Sequence, residues 1–232
     1  MHTKRGFLLI VFLIQITLIH AQDLKWTETA PGVWKAVVGV PEKYDLLKAS
    51  GATPDRNALS AITKAGFPLA QNEISVKVVD GKTFLRFPLK KEEQLYGFGL
   101  NFQTVHQRGK ILQLHVDHYG GKDNGRTHDP TPFYVSSTGY GVFINSARYL
   151  QVYAGTAVRK DSKNAPVAKD RNTDKTWSAR PYSDAVEILV PAAGVEVYVF
   201  GGPTPLDAVR RFNLFMVVVV YRPAGDWVSR NA

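Results

Sequence analysis

The sequence of 232 residues contains no cysteine, which excludes both a disulfide framework and a cysteine nucleophile. A chain of this length does not need disulfides, because a single domain of about 200 to 250 residues buries enough apolar surface to be stable. Hydrophobic residues make up 44% of the chain and charged residues 21%, which is ordinary globular composition. The composition therefore predicts a folded domain and excludes the disordered and collagen-like classes.

The sequence also lacks the short motifs that mark several common classes of catalytic, nucleotide-binding and zinc-binding sites. It contains no G-x-S-x-G, Walker loop, dinucleotide fingerprint or H-E-x-x-H, so we predict no cofactor. The formal net charge is +9, but the basic residues are scattered along the chain as single residues or pairs such as Lys90-Lys91. Nucleic-acid binding normally requires a clustered basic face. We therefore predict no nucleic-acid partner.

The N-terminus has the pattern of a secretory signal peptide. Lys4 and Arg5 precede an apolar run over residues 6–19, and Ala21 supplies a small residue before Gln22. An uncleaved membrane anchor is the alternative, but the apolar run is shorter than the roughly 20 residues that span a bilayer. We therefore predict a signal peptide over residues 1–21, export to the periplasm or the extracellular space, and no membrane association of the mature chain.

Short apolar runs rich in Val, Ile, Phe and Tyr follow from residue 32 onward, separated by Gly, Pro, Asn and Asp. This pattern is typical of an all-β domain. Asp80-Gly81 and Thr138-Gly139 each stand between two such runs and predict β-hairpins. One helix is predicted near the end, because Thr204 is a suitable cap and Pro205 takes the favoured first helical position. The expected fold is an all-β sandwich over residues 22–203 with one C-terminal helix over residues 204–215.

The alternation of apolar residues in ILQLHVDHY predicts a strand that ends near Asp117. Leu112, Leu114 and Val116 fall on the predicted core face of this strand, which places Asp117 on the polar face at its end. Two interpretations remain open. Asp117 stabilises the following loop as an Asx-turn residue, or its carboxylate accepts hydrogen bonds from a polar ligand such as a sugar hydroxyl.

His118 and Asp129 belong to the same polar segment, which holds further His and Asp residues at positions 115, 123 and 128. Zinc uses such ligands, but their spacing matches no defined metal geometry. We therefore predict no metal and keep Asp117, His118 and Asp129 as candidate substrate-binding residues. Aromatic residues in strands are more often core residues than sugar platforms, and we expect this of Tyr96, Phe98, Phe102, Phe133, Tyr134, Tyr140 and Phe143.

Four stretches, in this order, resemble glycoside hydrolase family 31: QLYGFGLNF at 94–102, HVDHYGG at 115–121, PFYVSSTGYGVFINS at 132–146 and YVFGGPTPLDAVRRF at 198–212. The resemblance is to the N-terminal, galactose mutarotase-like β-sandwich of that family and covers roughly residues 24–215. It implies a domain that packs against a (β/α)8 barrel in an enzyme acting on α-glucosides, α-xylosides or α-galactosides. Both catalytic carboxylates of the family lie on the barrel, so the resemblance implies no catalytic residue in this chain.

The sandwich of the family also sends one loop, which carries an Asp, into the active site. Asp117 matches that Asp, while Leu114-His115 stand where the family has Trp-Asn. The resemblance therefore implies that Asp117 contacts the substrate in an intact enzyme, and the departure from Trp-Asn leaves the sugar open.

The last residues, MVVVVYRPAGDWVSRNA, also depart from the family, which continues with L-P-P-x-W-x-L-G-F into a barrel of about 250 residues. In a frame whose codons begin on the third base of each present codon, Met216-Val217 is forced to Gly. Asp226-Trp227 is likewise forced to Leu, and Trp227-Val228 to Gly. We therefore hypothesise that residues 216–232 are a frameshifted tail and that the barrel is missing.

These observations give one main hypothesis and one alternative. The main hypothesis is a non-catalytic N-terminal domain of an exported family 31 hydrolase, with an oligosaccharide or α-glycoside substrate and the missing (β/α)8 barrel as its partners. The alternative is a stand-alone carbohydrate-binding module, which requires an exposed aromatic platform or a polar groove.

The nucleotide sequence beyond the Phe215 codon tests the frameshift hypothesis directly. We expect the codons of residues 220–228 to encode L-P-P-R-W-G-L-G-F in the shifted frame. Codons that do not encode a barrel entry in any alternative frame would contradict the hypothesis.

Overall fold

The computed structural model describes residues 24–101, 104–116, 127, 129–156, 169–179 and 181–216. The predicted signal peptide, residues 217–232 of the predicted tail, and Asp117 and His118 all lie outside these residues. The strands of the described part are β1 (Thr27–Ala30), β2 (Val33–Gly39), β3 (Ser75–Val79), β4 (Lys82–Pro88), β5 (Leu95–Gly97), β6 (Lys110–Leu114), β7 (Phe133–Ser136), β8 (Tyr140–Asn145), β9 (Leu150–Thr156), β10 (Tyr182–Val190) and β11 (Gly194–Gly201). Its α-helices are α1 (Leu46–Ser50), α2 (Arg56–Ala61) and α3 (Pro205–Phe215), and a 3₁₀ turn spans Gln71–Glu73.

The strands form two antiparallel sheets that pack as a sandwich. Sheet A has six strands in the order β1-β2-β11-β8-β7-β5, and sheet B has five in the order β3-β4-β10-β9-β6. The long central strands β10 and β11 pair along most of their length with neighbours on both sides. The all-β sandwich predicted from the sequence is therefore confirmed.

Both predicted hairpins are present. Asp80 and Gly81 join β3 to β4 with φ angles of 50° and 69°, the two positive values that a two-residue type I′ turn requires. The turn with Thr138 and Gly139 joins β7 to β8, and these strands pair from Phe133 with Phe143 onward. The turn residues thus set the register of both strand pairs.

The main core lies between the two sheets, where alternate residues of each strand point inward. In β8, Tyr140, Val142 and Ile144 join this core, whereas Phe143 belongs to a second cluster on the outer face of sheet A. β8 is buried at every position, because helices cover its outer face. This burial on both faces explains why the sequence of β8 is a nearly continuous apolar run.

The second cluster joins α3 to the outer face of sheet A through aromatic contacts. Phe212 stacks on Phe133 with ring centroids 3.8 Å apart, and it meets the edge of Phe200 at 5.6 Å. Phe215 contacts the rings of Phe200 and Tyr198 at 5.6 and 5.2 Å. Such aromatic pairs add about 0.5 to 1.5 kcal/mol each beyond the area they bury.

Arg211 is the largest fully buried side chain of the described residues, with only 1% of its surface exposed. Its guanidinium donates hydrogen bonds to the carbonyls of Pro31 at 3.3 Å, Gly201 at 2.5 Å and Thr63 at 2.5 Å. Burial lowers the pKa of this guanidinium, while the charges of Asp207 and Glu28 oppose the shift. One buried cation therefore joins α3 to three separate chain segments, two of which are distant in sequence.

The helices begin at polar caps, as expected for chain entries from loops. Thr204 accepts a hydrogen bond from the Asp207 N–H at 3.2 Å, and Pro205 takes the first helical position of α3, as predicted. Asp45 and Asp55 cap α1 and α2 in the same way. Within the described residues, no helix has the length and apolar character needed to span a bilayer.

Three details differ from the expectations. β1 precedes residue 32, and β5 is a short strand within the motif at 94–102. Val116 is not a core residue, because β6 ends at Leu114 and 39% of Val116 is exposed. Four of the aromatic residues assigned to the core are buried in β7 and β8, and Phe98 is buried after β5, whereas Tyr96 is half-buried and Phe102 lies outside the described residues.

The Arg211 contacts predict a large difference between two neighbouring arginines. Arg211→Ala removes three hydrogen bonds to backbone carbonyls, that of Gly201 buried and those of Pro31 and Thr63 partly buried, and leaves a cavity, so we expect it to lower the free energy of unfolding by about 3 kcal/mol. Arg210→Ala is the matched control, because its exposed side chain makes only a 3.7 Å ion pair with Asp207, worth about 0.5 kcal/mol or less. Urea denaturation of both variants measures this, and equal losses would contradict the role given to Arg211.

Candidate functional site

The candidate site lies at the end of the sandwich where the segment 117–126 leaves and returns. Antiparallel pairing places the last residue of β5 beside the first residues of β7, and the end of β6 beside the start of β9. Residues 97–101, 115–116, 127, 129–131 and 146–149 therefore meet at the same end of the sandwich.

The turn after β5 has an unusual backbone. Gly97, Phe98 and Gly99 have φ angles of 108°, 63° and 100°, and Phe98 is a rare non-glycine residue with a positive φ. The Phe98 ring is buried and stacks on Tyr134 with centroids 5.0 Å apart, which compensates for the backbone strain. The turn directs the chain toward Asp129, whose carbonyl accepts a hydrogen bond from the Leu100 N–H at 3.3 Å.

Thr127 joins the two bases of the segment 117–126, by which we mean the chain ends on either side of it at Val116 and at Thr127. Its N–H donates to the His115 carbonyl at 3.3 Å, and it forms a parallel bridge with Val116. Its hydroxyl donates to the Leu100 carbonyl at 2.6 Å, and Thr127 is almost fully buried. The chain therefore leaves at Val116 and returns at Thr127 at adjacent points of the fold.

Exposed apolar side chains surround these bases. Leu100 is 55% exposed and Tyr149 65%, and the His115 ring meets the Tyr149 ring edge to face with centroids 4.2 Å apart. With the partly exposed Val116, they form an amphipathic rim around the point where the segment 117–126 begins. Such a rim suits contact with another surface or with the apolar face of a sugar ring.

The predicted substrate-binding residues are placed only in part. Asp117 and His118 lie outside the described residues. Asp129 is exposed at the base of the segment, where its carbonyl makes the hydrogen bond that fixes the turn after β5. Within the described residues no group of three or more His, Cys, Asp or Glu side chains comes together as a metal site would require.

A buried carboxylate that sequence analysis did not single out lies at the opposite end of β7. Glu93 is 3% exposed, and its Oε1 accepts hydrogen bonds from Ser136 Oγ at 2.5 Å and from the Tyr140 hydroxyl at 2.6 Å. Its Oε2 accepts the Lys90 N–H at 2.9 Å. Burial, then the nearby Tyr134 and Glu93, raise the pKa of Tyr140 well above its ordinary value, which keeps its hydroxyl a donor.

This cluster is structural, because protein donors occupy the carboxylate of Glu93 and protein groups enclose it. It fixes the loop between β4 and β5 onto the β7–β8 hairpin. The sequence gives no signal for it, since Lys90, Lys91, Glu92 and Glu93 read together as an exposed charged turn.

The comparisons with known proteins agree with this fold. Residues 52–152 match the family model described as the glycosyl hydrolase 31 N-terminal galactose mutarotase-like domain. The alpha-xylosidase XylQ of Lactiplantibacillus pentosus is 24% identical over 143 residues, which are 60% of this chain and 16% of that protein. The isomaltosyltransferase of Sporosarcina globispora is 27% identical over 137 residues, which are 56% of this chain and 12% of that protein.

The structural similarity extends over more of the chain. A family 31 dextranase of Flavobacterium johnsoniae, solved in complex with glucose, superposes with a TM-score of 0.54 over 84% of this chain and 26% of the dextranase. The sequence identity of that superposition is 14%, so it establishes the fold alone. This chain thus spans a minor part of the length of each of these three relatives.

The turn after β5 predicts a specific effect of one glycine. A Cβ at Gly99 would collide with the Asp129 carbonyl, and a φ of 100° is strained for any L side chain. We expect Gly99→Ala to cost about 3 kcal/mol and to break the Leu100 to Asp129 hydrogen bond. Gly51→Ala is the control, because it has a positive φ of 64° but open space around it, and we expect it to cost about 1 kcal/mol.

Urea denaturation gives these costs, and amide hydrogen exchange at Leu100 reports the local effect. Gly99→Ala should accelerate exchange at Leu100, and Gly51→Ala should leave it unchanged. Equal costs and unchanged exchange in both variants would show that the turn does not depend on Gly99.

Proposed function

Because this chain carries the N-terminal galactose mutarotase-like domain of glycosyl hydrolase family 31, we propose that it is the non-catalytic supporting domain of an exported glycoside hydrolase. In this role the domain packs against a (β/α)8 catalytic barrel and contributes the segment 117–126 to the substrate pocket. The intact enzyme hydrolyses O-glycosyl bonds of an α-glycoside or oligosaccharide. The domain itself requires neither a metal nor a cofactor, and it binds neither nucleic acid nor a membrane.

The observation that carries this proposal is the joining of the two bases of the segment 117–126 by Thr127. Its hydrogen bonds to Leu100 and His115 hold the bases side by side at one end of the sandwich. A segment with adjacent, fixed bases is suited to present side chains to a neighbouring surface. Asp117 and His118 belong to this segment, and Asp129 is the third residue after it.

The packing of α3 supports a partner domain over the outer face of sheet A, where α3 lies. Its buried residues Ala208, Arg211 and Phe215 face sheet A, while Leu206 is 56% exposed at its start. Val209 and Leu214 are half-buried and pack against the second cluster on the outer face of sheet A. The outer surface of α3 therefore offers apolar area that a barrel domain would cover.

The names of the relatives support an α-linked sugar as substrate. One relative is an alpha-xylosidase, another is an isomaltosyltransferase, and the dextranase structure has also been solved, as a mutant, with isomaltotriose. These names agree on glycosidic substrates and differ in the sugar. The proposal is therefore limited to the class of α-glycosides.

The proposal predicts that the purified chain has no hydrolase activity. Retaining glycoside hydrolysis needs two carboxyl groups about 5 Å apart, and in family 31 both belong to the barrel. We expect incubation with aryl α-glucosides, α-xylosides and α-galactosides to release no more aryl alcohol than a blank. A complete family 31 α-glucosidase is the positive control, and turnover that co-purifies with this chain would contradict the proposal.

A further inference from the structure

A cavity of about 520 Å³ lies at the opposite end of sheet B from the segment 117–126. It is lined by the turn after β4, the residues that lead into β6, and the first residues of β10. Tyr182 begins β10, and Leu189, near the other end of this strand, pairs with Gln151 close to the start of β9. Seven residues of extended strand separate these two ends, which is about 23 Å. The cavity is therefore separate from the candidate site described above.

Tyr182 provides an exposed aromatic surface at this cavity. It is 70% exposed, although large aromatic side chains are usually buried. The Arg108 guanidinium carbon lies 6.0 Å from the centre of its ring, within the range of a cation–π contact. A Cβ at Gly109 would lie 3.4 Å from the Tyr182 ring, an ordinary van der Waals distance, so the ring lies close to this part of the backbone. The ring is thus supported on protein groups while much of it faces solvent.

The support beneath the Tyr182 ring is itself fixed. Arg108 is 9% exposed and donates to the carbonyls of Lys90 at 2.7 Å and Glu93 at 2.5 Å. A weaker contact of 3.5 Å reaches the Ser183 carbonyl. Because these bonds hold Arg108, the tyrosine needs little further ordering when a ligand stacks on it, which lowers the entropic cost of binding.

Polar groups of mixed charge line the rest of the cavity. The formal charges of the lining sum to zero, with Lys91 and Arg108 against Glu92 and Asp184, and Arg86 also pairs with Asp184 at 2.9 Å. Gln94 adds an exposed amide. His106 also lines the cavity, and its Nε2 is buried without a hydrogen-bond partner in the described part of the chain. A lining of this kind favours a neutral ligand with many hydroxyl groups over an anion or an apolar molecule.

We propose that this cavity is a second carbohydrate-binding site, in which a pyranose ring of a neutral oligosaccharide stacks on Tyr182. The apolar C–H face of the sugar covers the tyrosine ring, and the sugar hydroxyls exchange hydrogen bonds with Gln94, Glu92 and Asp184. The volume lies within the range of about 300 to 1,000 Å³ of ligand pockets. In the intact enzyme, this site binds part of a polymeric substrate at a distance from the segment 117–126. It raises the affinity of the enzyme for the polymer and takes no part in the reaction.

Isothermal titration calorimetry of the full chain with isomaltotriose tests this inference. We expect saturable binding in the millimolar range by the native chain. Tyr182→Ala should weaken binding at least tenfold, whereas Tyr182→Phe, which keeps the ring, should stay within about threefold of the native value. Tyr44→Ala is the matched control, because Tyr44 is 69% exposed in a different loop, and it should bind as the native chain does.

Chemical-shift mapping with the same sugar separates this site from the segment 117–126. Perturbed amides at 104–109 and 182–184 support the inference, while perturbations confined to residues 115–116 and Thr127 contradict it and leave the proposed function intact. Absence of binding by the native chain, or equal binding by Tyr182→Ala, would also overturn it. Because hydrolase activity of the chain is measured separately, failure of this inference is distinguishable from failure of the proposed function.

Discussion

The contact of Arg211 with three backbone carbonyls is the constraint on which the rest of the structure depends. Sheet A has an apolar outer face that must be covered, and α3 covers it with Phe212 and Phe215. Burying a cation there costs free energy unless its donors are satisfied. The carbonyls of Pro31, Thr63 and Gly201 supply acceptors, and each belongs to a different part of the chain. The buried guanidinium therefore adds directed hydrogen bonds that hold α3 on the sandwich, together with the aromatic packing of Phe212 and Phe215.

With α3 fixed on one face, the two ends of the sandwich are free for separate roles. At one end, Thr127 holds the bases of the segment 117–126 together. At the other end, Arg108 supports the exposed ring of Tyr182. Antiparallel strands carry both arrangements at fixed positions along the same sheets. The scaffold therefore keeps the two proposed binding regions at opposite ends of the sandwich.

Much of the fold was predictable because the signals are local. The Asp80-Gly81 turn, the cap at Thr204 and the alternation of apolar residues each depend on near neighbours in sequence. The roles of Arg211 and Glu93 were not predictable, because their partners are distant in sequence or are backbone atoms with no residue signature. Arg211 reads as one of two adjacent surface arginines until the sheets bring its carbonyl partners together.

In the candidate site, too, features that depend on contacts between distant residues were not predictable from the sequence. Asp129 was singled out for its carboxylate, but the structure gives its carbonyl the defined contact, in fixing the turn after β5. The positive φ of Phe98 could not be predicted, because it depends on tertiary stacking against Tyr134. Tyr182 also carried no signal, since exposure of a strand residue is decided by the elements packed around it.

Amide hydrogen exchange across α3 tests the central claim most directly, because an isolated helix of eleven residues is at best marginally stable in water. If the contacts of Arg211 and Phe212 fix α3 on sheet A, its amides will exchange as slowly as those of β11, through the same global opening. Fast exchange of α3 beside a protected β11 would show that the helix is not held by the sandwich and would contradict the account.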